Sequence, residues 1–114
     1  MQIDNAVYLK HIRDSVYRIE NYISHTIKNK FLSEENEMMR AAVVRELEVI
    51  GEAARNVTNE YKQRYVQIPW RDMMDTRNKI IHDYMSVDYE LVWDIVKKDL
   101  PKLKKQIEKI VGMK

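Results

Sequence analysis

Apolar residues recur at spacings of three and four along most of this chain, a pattern that belongs to amphipathic helices and not to strands. In the first such stretch Leu9, Ile12, Val16, Ile19 and Ile23 draw one stripe, while Lys10, Arg13, Asp14, Arg18 and Glu20 fall elsewhere. This predicts a helix from about Asp4 to Thr26. Asp4 is its candidate N-cap, because a carboxylate there can accept from the unpaired amides of the first turn. Residues 28–32 read as a connector. A second stripe of Met39, Val43, Leu47, Ile50, Ala54 and Val57 predicts a helix starting near Ser33. Ser33 can cap it, and Glu34 and Glu35 suit the positive end of its dipole. Gly51, Ala53 and Ala54 form a small-residue patch inside it. Glycine within a helix costs ~1 kcal/mol against alanine. Gly51 therefore reads either as a point where another backbone or a ligand comes close, or as a tolerated surface glycine.

Residues 59–65 read as a short helical turn or an ordered loop. Ile68-Pro69-Trp70 then opens a third helix, with Pro69 at the first helical position, where its missing N–H costs nothing. Met73, Met74, Arg77, Ile80 and Ile81 lie along this helix, which is predicted to end near Asp83 or Tyr84. Asp88 caps a fourth helix with the stripe Val92, Val96, Leu100, Leu103, Ile107 and Ile110, and with Trp93 beside it. Pro101 lies inside that pattern and should kink the helix or split it near Leu100. Gly112 is a natural stop. Four amphipathic helices with short connectors pack most simply as an up-and-down bundle. The expected fold is thus all-α: a four-helix bundle with a short extra helix and a kinked last helix. No repeat, low-complexity tract or domain boundary interrupts residues 1–114, which read as a single helical domain.

Composition supports this reading. Only two glycines and two prolines occur in 114 residues, too few for the turns of an all-β domain. Hydrophobic residues make up 45% and charged residues 33%, as in a folded domain and unlike a disordered chain. Cysteine is absent, which excludes disulfides, thiolate metal sites and cysteine nucleophiles and fits a reducing cytoplasm. No apolar run approaches the ~20 residues of a membrane span. The early Asp4 and the lack of an apolar block argue against a signal peptide. A net charge of +2 is too weak for a dedicated duplex-DNA binder, although a homodimer would double it. The lysines of the last helix (Lys97, Lys98, Lys102, Lys104, Lys105, Lys109) are most simply a solvated face, and His11 and His25 most simply surface histidines.

The chemically loaded stretch is Arg77-Asn78-Lys79-Ile80-Ile81-His82-Asp83-Tyr84. It packs a guanidinium, an amide, an ammonium, an imidazole, a carboxylate and a phenol into one short segment that Ile80 and Ile81 can anchor to the core. On an ideal helix, five residues separate Arg77 from His82 by a rise of ~7.5 Å and a rotation of roughly 140°, so they are not stacked neighbours. For both to face one ligand, the helix must end between them, or Arg77 must reach along a groove, or a second subunit must complete the site. An arginine fork suits phosphate, and an imidazole titrates near neutrality and moves protons. Together they suit attack of an RNA 2′-hydroxyl on its own phosphodiester, with His82 transferring the proton and Arg77 stabilising the phosphate oxygens. That chemistry needs no metal or other cofactor, and the chain carries no tight carboxylate cluster of the two-metal kind. The plainer alternatives are a structural hydrogen-bonding pair for Arg77 and His82, and a packing role for Tyr84 with its hydroxyl tied off.

The segment fits the pattern arginine, four to six residues, histidine, any residue, tyrosine, here with four residues between. With Ile68-Pro69-Trp70-Arg71, the upstream Glu48-Val49-Ile50-Gly51-Glu52-Ala53-Ala54 and the downstream Asp99-Leu100-Pro101, it resembles the HEPN superfamily and in particular its HepT-like toxins. The likeness spans nearly the whole chain. It implies a small helical bundle that forms a homodimer, with the two motifs meeting in a composite cleft. It implies a metal-independent ribonuclease, the toxin of a toxin–antitoxin pair whose antitoxin is a minimal nucleotidyltransferase. Carried over, Arg77 and His82 are catalytic, Asn78 and Lys79 bind the substrate phosphate, and Tyr84 is the residue to which the antitoxin attaches AMP. A bulky anionic chain on Tyr84 would block the cleft and neutralise Arg77. Two other readings use the same residues. One is a non-catalytic nucleotide-binding or regulatory subunit of a nucleotidyltransferase. The other is a purely structural helical dimer with the motif as an interface network.

Overall fold

The computed structural model describes residues 4–83 and 86–114, with His82 and Asp83 described by their backbone alone. Helix α1 (Asn5–Ile23) begins as predicted: Asp4 Oδ1 accepts from the Ala6 amide at 3.0 Å. Its whole predicted stripe is buried. The expected connector folds into one helical turn, α2 (Lys28–Phe31), because Phe31 is fully buried and packs on Trp93 with ring centroids 5.1 Å apart.

Ser33 does not cap the next helix. Its hydroxyl donates back to the Lys30 carbonyl at 2.7 Å and closes the preceding turn. A 3-10 turn (Glu34–Asn36) follows, and α3 (Glu37–Asn56) starts after it. Arg40 holds this junction by donating to the carbonyls of Phe31 and Ser33. α1 and α3 run antiparallel: Asn5 bonds Thr58 through both its amide nitrogen and oxygen, Arg18 pairs with Glu46 at 3.0 Å, and Thr26 meets Met39.

Residues 59–64 form α4 (Asn59–Arg64), capped by the Thr58 hydroxyl. α5 (Trp70–Ile80) starts one residue later than predicted, with Pro69 as its N-cap. Gly51 is buried under it. A Cβ on Gly51 would stand 2.8 Å from the Met73 carbonyl oxygen, so the glycine marks a close approach of two backbones.

The predicted end of α5 near Asp83 or Tyr84 is wrong. The helix stops at Ile80, and Ile81–Asp83 (β1) turns extended and pairs antiparallel with Ser86–Val87 (β2), with an irregularity between Ile81 and Asp83. The Asp88 amide closes the pair by donating to the Ile80 carbonyl at 2.7 Å. Two consecutive β-branched isoleucines are stiff at χ1 and favour this exit.

Asp88 caps α6 (Tyr89–Asp94), accepting from the Leu91 amide at 3.0 Å. A π-helical turn (Ile95–Asp99) then leads into α7 (Leu100–Val111). This is the predicted split: Pro101, the second residue of α7, has no N–H for the carbonyl four residues back, and the wide turn absorbs the loss. α7 runs antiparallel to α1, with Glu20 on Lys104, Tyr17 on Glu108 and Arg13 on the carbonyls of Val111 and Gly112. The result is an all-α bundle of α1, α3, α5 and the α6–α7 unit, with one small ladder at the end of α5. No described helix is long and apolar enough to cross a membrane.

Candidate active site

The site is set by how α5 is held. Its start is fixed by Ile68 and Trp70, both buried, with the Trp70 indole donating to the Tyr65 carbonyl at 3.0 Å. Its middle rests on α3 through Gly51. Its end is fixed by Ile80, which is fully buried, and by Ile81, which packs partly buried against the core. The anchoring role expected of this isoleucine pair is therefore met. With those residues facing in, Arg77, Asn78 and Lys79 are left exposed on the last turn.

Among the described residues the exposed side chains of Arg77 and Asn78 take part in no hydrogen bond or ion pair. Lys79 pairs with Asp72 at 2.8 Å in an exposed contact. Such a pair is worth little and is readily exchanged for another anion. His82 lies in β1, two residues past the end of the helix. The helix ends between Arg77 and His82, which is the first of the three arrangements set out above. The His82 side chain lies outside the described residues, and so does Tyr84. His11 and His25 are exposed on and after α1, as expected of surface histidines.

Two hollows adjoin α5. A groove of about 450 Å³ between α3, α5 and the α6–α7 unit has an apolar floor including Leu47, Ile50 and Leu103, with Asp72 and Lys79 among its lining. Arg77 does not line it. A shallower cleft between α4 and the start of α5 is lined by Asn59, Lys62, Gln63 and Arg71 among others.

Sequence reasoning missed two cations beside α5. Arg55 Nη2 donates to the Met74 carbonyl at 3.4 Å, and Lys62 Nζ lies 3.5 Å from Met74 Sδ. Burial, then the neighbouring Arg55 charge, pushes the Lys62 ammonium below its ordinary pKa. Nothing in the local pattern around Lys62 signals this, because it depends on how α4 folds back on α5.

Residues 12–110 match the family described as Ribonuclease HepT-like. The chain belongs to that family. It is similar to a protein of Thermococcus cleftensis named "Probable ribonuclease HepT", 39% identical over 110 residues that cover 96% of this chain and 98% of the relative. It is similar to a Methanocaldococcus jannaschii protein named "Putative RNase", 39% identical over 105 residues, 92% of this chain and 94% of that one. A second protein of that organism, named "Gamma-glutamylcyclotransferase and putative RNase", is 39% identical over 111 residues, 97% of this chain but 49% of the relative. The chain thus spans about half of that longer protein. No solved structure matches the chain significantly. The HepT-like assignment agrees with the resemblance carried by the sequence between Glu48 and Pro101.

Proposed function

We propose that this HepT-like chain is a metal-independent endoribonuclease and the toxin of a toxin–antitoxin pair, acting through Arg77 and His82. The observation that carries the reading is the exposed Arg77 guanidinium, without a partner among the described residues, on the last turn of α5. The chain leaves the helix three residues later and delivers His82. Buried Ile80 fixes the spot from which both residues depart.

In this reaction the ribose 2′-oxygen attacks the adjacent phosphorus and loses its proton to the His82 imidazole. The bond from phosphorus to the 5′-oxygen breaks, and that oxygen takes up a proton. The products are a 2′,3′-cyclic phosphate and a free 5′-hydroxyl. The fork of Arg77 holds the phosphate oxygens as negative charge builds on them. Asn78 and Lys79 steady the same phosphate, Lys79 by exchanging Asp72 for it. A homodimer that brings two such helix ends together supplies the second imidazole as the acid. AMP attached to Tyr84 by a minimal nucleotidyltransferase would place phosphates two residues from His82 and occupy Arg77, which silences the toxin.

The test uses purified chain, freed of partner protein and of AMP, with end-labelled single-stranded RNA in chelator. Wild type is expected to cleave it. Arg77→Ala and His82→Ala are each expected to lower cleavage by about 100-fold or more with unchanged melting. A wild-type chain that cuts no RNA would defeat the enzymatic reading, and nucleotide co-purifying with such an inert chain would assign it a binding role instead. Mass spectrometry of chain made together with the nucleotidyltransferase tests Tyr84, where added AMP mass is the expected result.

A further inference from the structure

Two cations converge on one residue of α5. Arg55, at the end of α3, donates to the Met74 carbonyl, and the Lys62 ammonium from α4 lies against the Met74 sulfur. Met74 precedes Arg77 by three residues and Asn78 by four, so the three share one face a turn apart. Arg71 lies three residues the other way and lines, with Lys62, the cleft between α4 and α5. Along α5 the order is therefore Arg71, the Lys62–Arg55 pair, then Arg77. At 1.5 Å per residue, positions 71 to 78 cover roughly 10 Å, more than one phosphate group can bridge.

Of this row, Arg55 alone is paired with a described carboxylate. Glu52 takes Arg55 at 3.1 Å in an exposed pair, and Asp72, also in the cleft, takes Lys79. Asp75, half-buried on α5, pairs with no cation among the described residues. No described carboxylate is paired with Lys62, Arg71 or Arg77. Lys62 is half-buried beside a second positive charge, an arrangement that disfavours its own ionisation. A bound anion would relieve both the burial and the repulsion.

We propose that Lys62, Arg55 and Arg71 form a phosphate track along α5 that leads single-stranded RNA to Arg77. The substrate is then an oligomer held over several nucleotides, and a mononucleotide engages only one end of the track. This rests on the ribonuclease reading. The track positions the strand, and Lys62 and Arg71 do not touch the reacting bond.

The experiment measures binding of a labelled oligouridylate of about twelve nucleotides across a salt series, in His82→Ala protein so that nothing is cut. Each phosphate contact on a single strand contributes about 0.7 to the slope of log affinity against log salt. Lys62→Gln together with Arg71→Gln is expected to flatten the slope by about 1.4 and to weaken binding on the order of tenfold. Lys62→Arg is expected to restore the lysine's share. Lys105→Gln with Lys109→Gln, on the exposed face of α7, is expected to leave the slope unchanged. Arg71 is exposed, so Arg71→Gln alone reads the effect with little disturbance of packing. With His82 intact, the track variants should raise KM and hold kcat within about twofold.

An unchanged slope in Lys62→Gln/Arg71→Gln overturns the track, as does equal loss in the α7 variants. Binding to anionic lipid vesicles through these residues, with none to RNA, overturns it too. If wild type cuts nothing yet binds RNA through Lys62 and Arg71, the nuclease reading fails and the track stands. If wild type cuts and the variants bind normally, the reverse holds.

Discussion

The Cβ that Gly51 lacks would stand 2.8 Å from the Met73 carbonyl oxygen, closer than real Cβ contacts allow. The obstacle is backbone, so α5 itself would have to move. Overpacking of this kind costs about 1–3 kcal/mol, and better helix propensity returns up to ~1 kcal/mol. Gly51→Ala is therefore expected to lose stability on the order of 1 kcal/mol by denaturant titration. It should also lower cleavage, because Arg77 rides on the helix that shifts. A variant as stable and active as wild type would show that the contact does not hold α5 in place.

Ile80→Ala removes a fully buried side chain from the end of the same helix. The expected loss is about 2–5 kcal/mol, against about 0.5–1.5 kcal/mol for Ile80→Val. Thermal melting of the two variants checks the ranking.

Arg77→Lys keeps the charge and loses the fork. The guanidinium is exposed and unpartnered among the described residues, so the melting temperature is expected to stay within about a degree of wild type. Cleavage is expected to fall by more than about tenfold, since one ammonium cannot bind two phosphate oxygens as the fork does. Equal activity would assign Arg77 a simple electrostatic role.

Tyr17 donates its hydroxyl to Glu108, and that hydrogen bond, with desolvation and the Glu108 charge adding to it, raises the phenol above its ordinary value of about 10. The folded state thus holds this proton more tightly than the unfolded chain. The contribution to stability is whole below about pH 10 and is lost as pH rises through the folded pKa. Tyr61, raised by burial, and Lys104, raised by its bond to Glu20, act in the same direction. Lys62, with its pKa lowered, works the opposite way. The melting temperature is expected to drop as pH rises above about 10. Tyr17→Phe should drop less, and Glu108→Gln should return the phenol toward its ordinary value in a tyrosine absorbance titration.

Much of the bundle was legible because its signals are local. The stripes of Leu9 to Ile23 and Val92 to Ile107, the caps Asp4 and Asp88 and the stop at Gly112 each depend on residues within a turn or two. Pro101 likewise announced its own break. The end of α5 was not legible. It is fixed by pairing between Ile81–Asp83 and Ser86–Val87, a relation between two segments that no helical period contains. Ser33 misled for a similar reason: its hydroxyl had two carbonyl or amide partners to choose from and took the one behind it. At the site, the motif marked Arg77 and its neighbours, but the approach of Arg55 and Lys62 to Met74 is made by tertiary packing alone.

The stop at Ile80 gives the site a tolerance to length on one side only. A residue inserted between Arg77 and Ile80 would turn the guanidinium by about 100° relative to its anchor. A residue inserted beyond Ile81 would leave that bearing unchanged and would have to be taken up in the short β1–β2 pairing, where an irregularity already stands. A change in the spacing between Arg77 and His82 can thus be taken up past Ile81, while the end of the helix that carries Arg77 keeps its bearing.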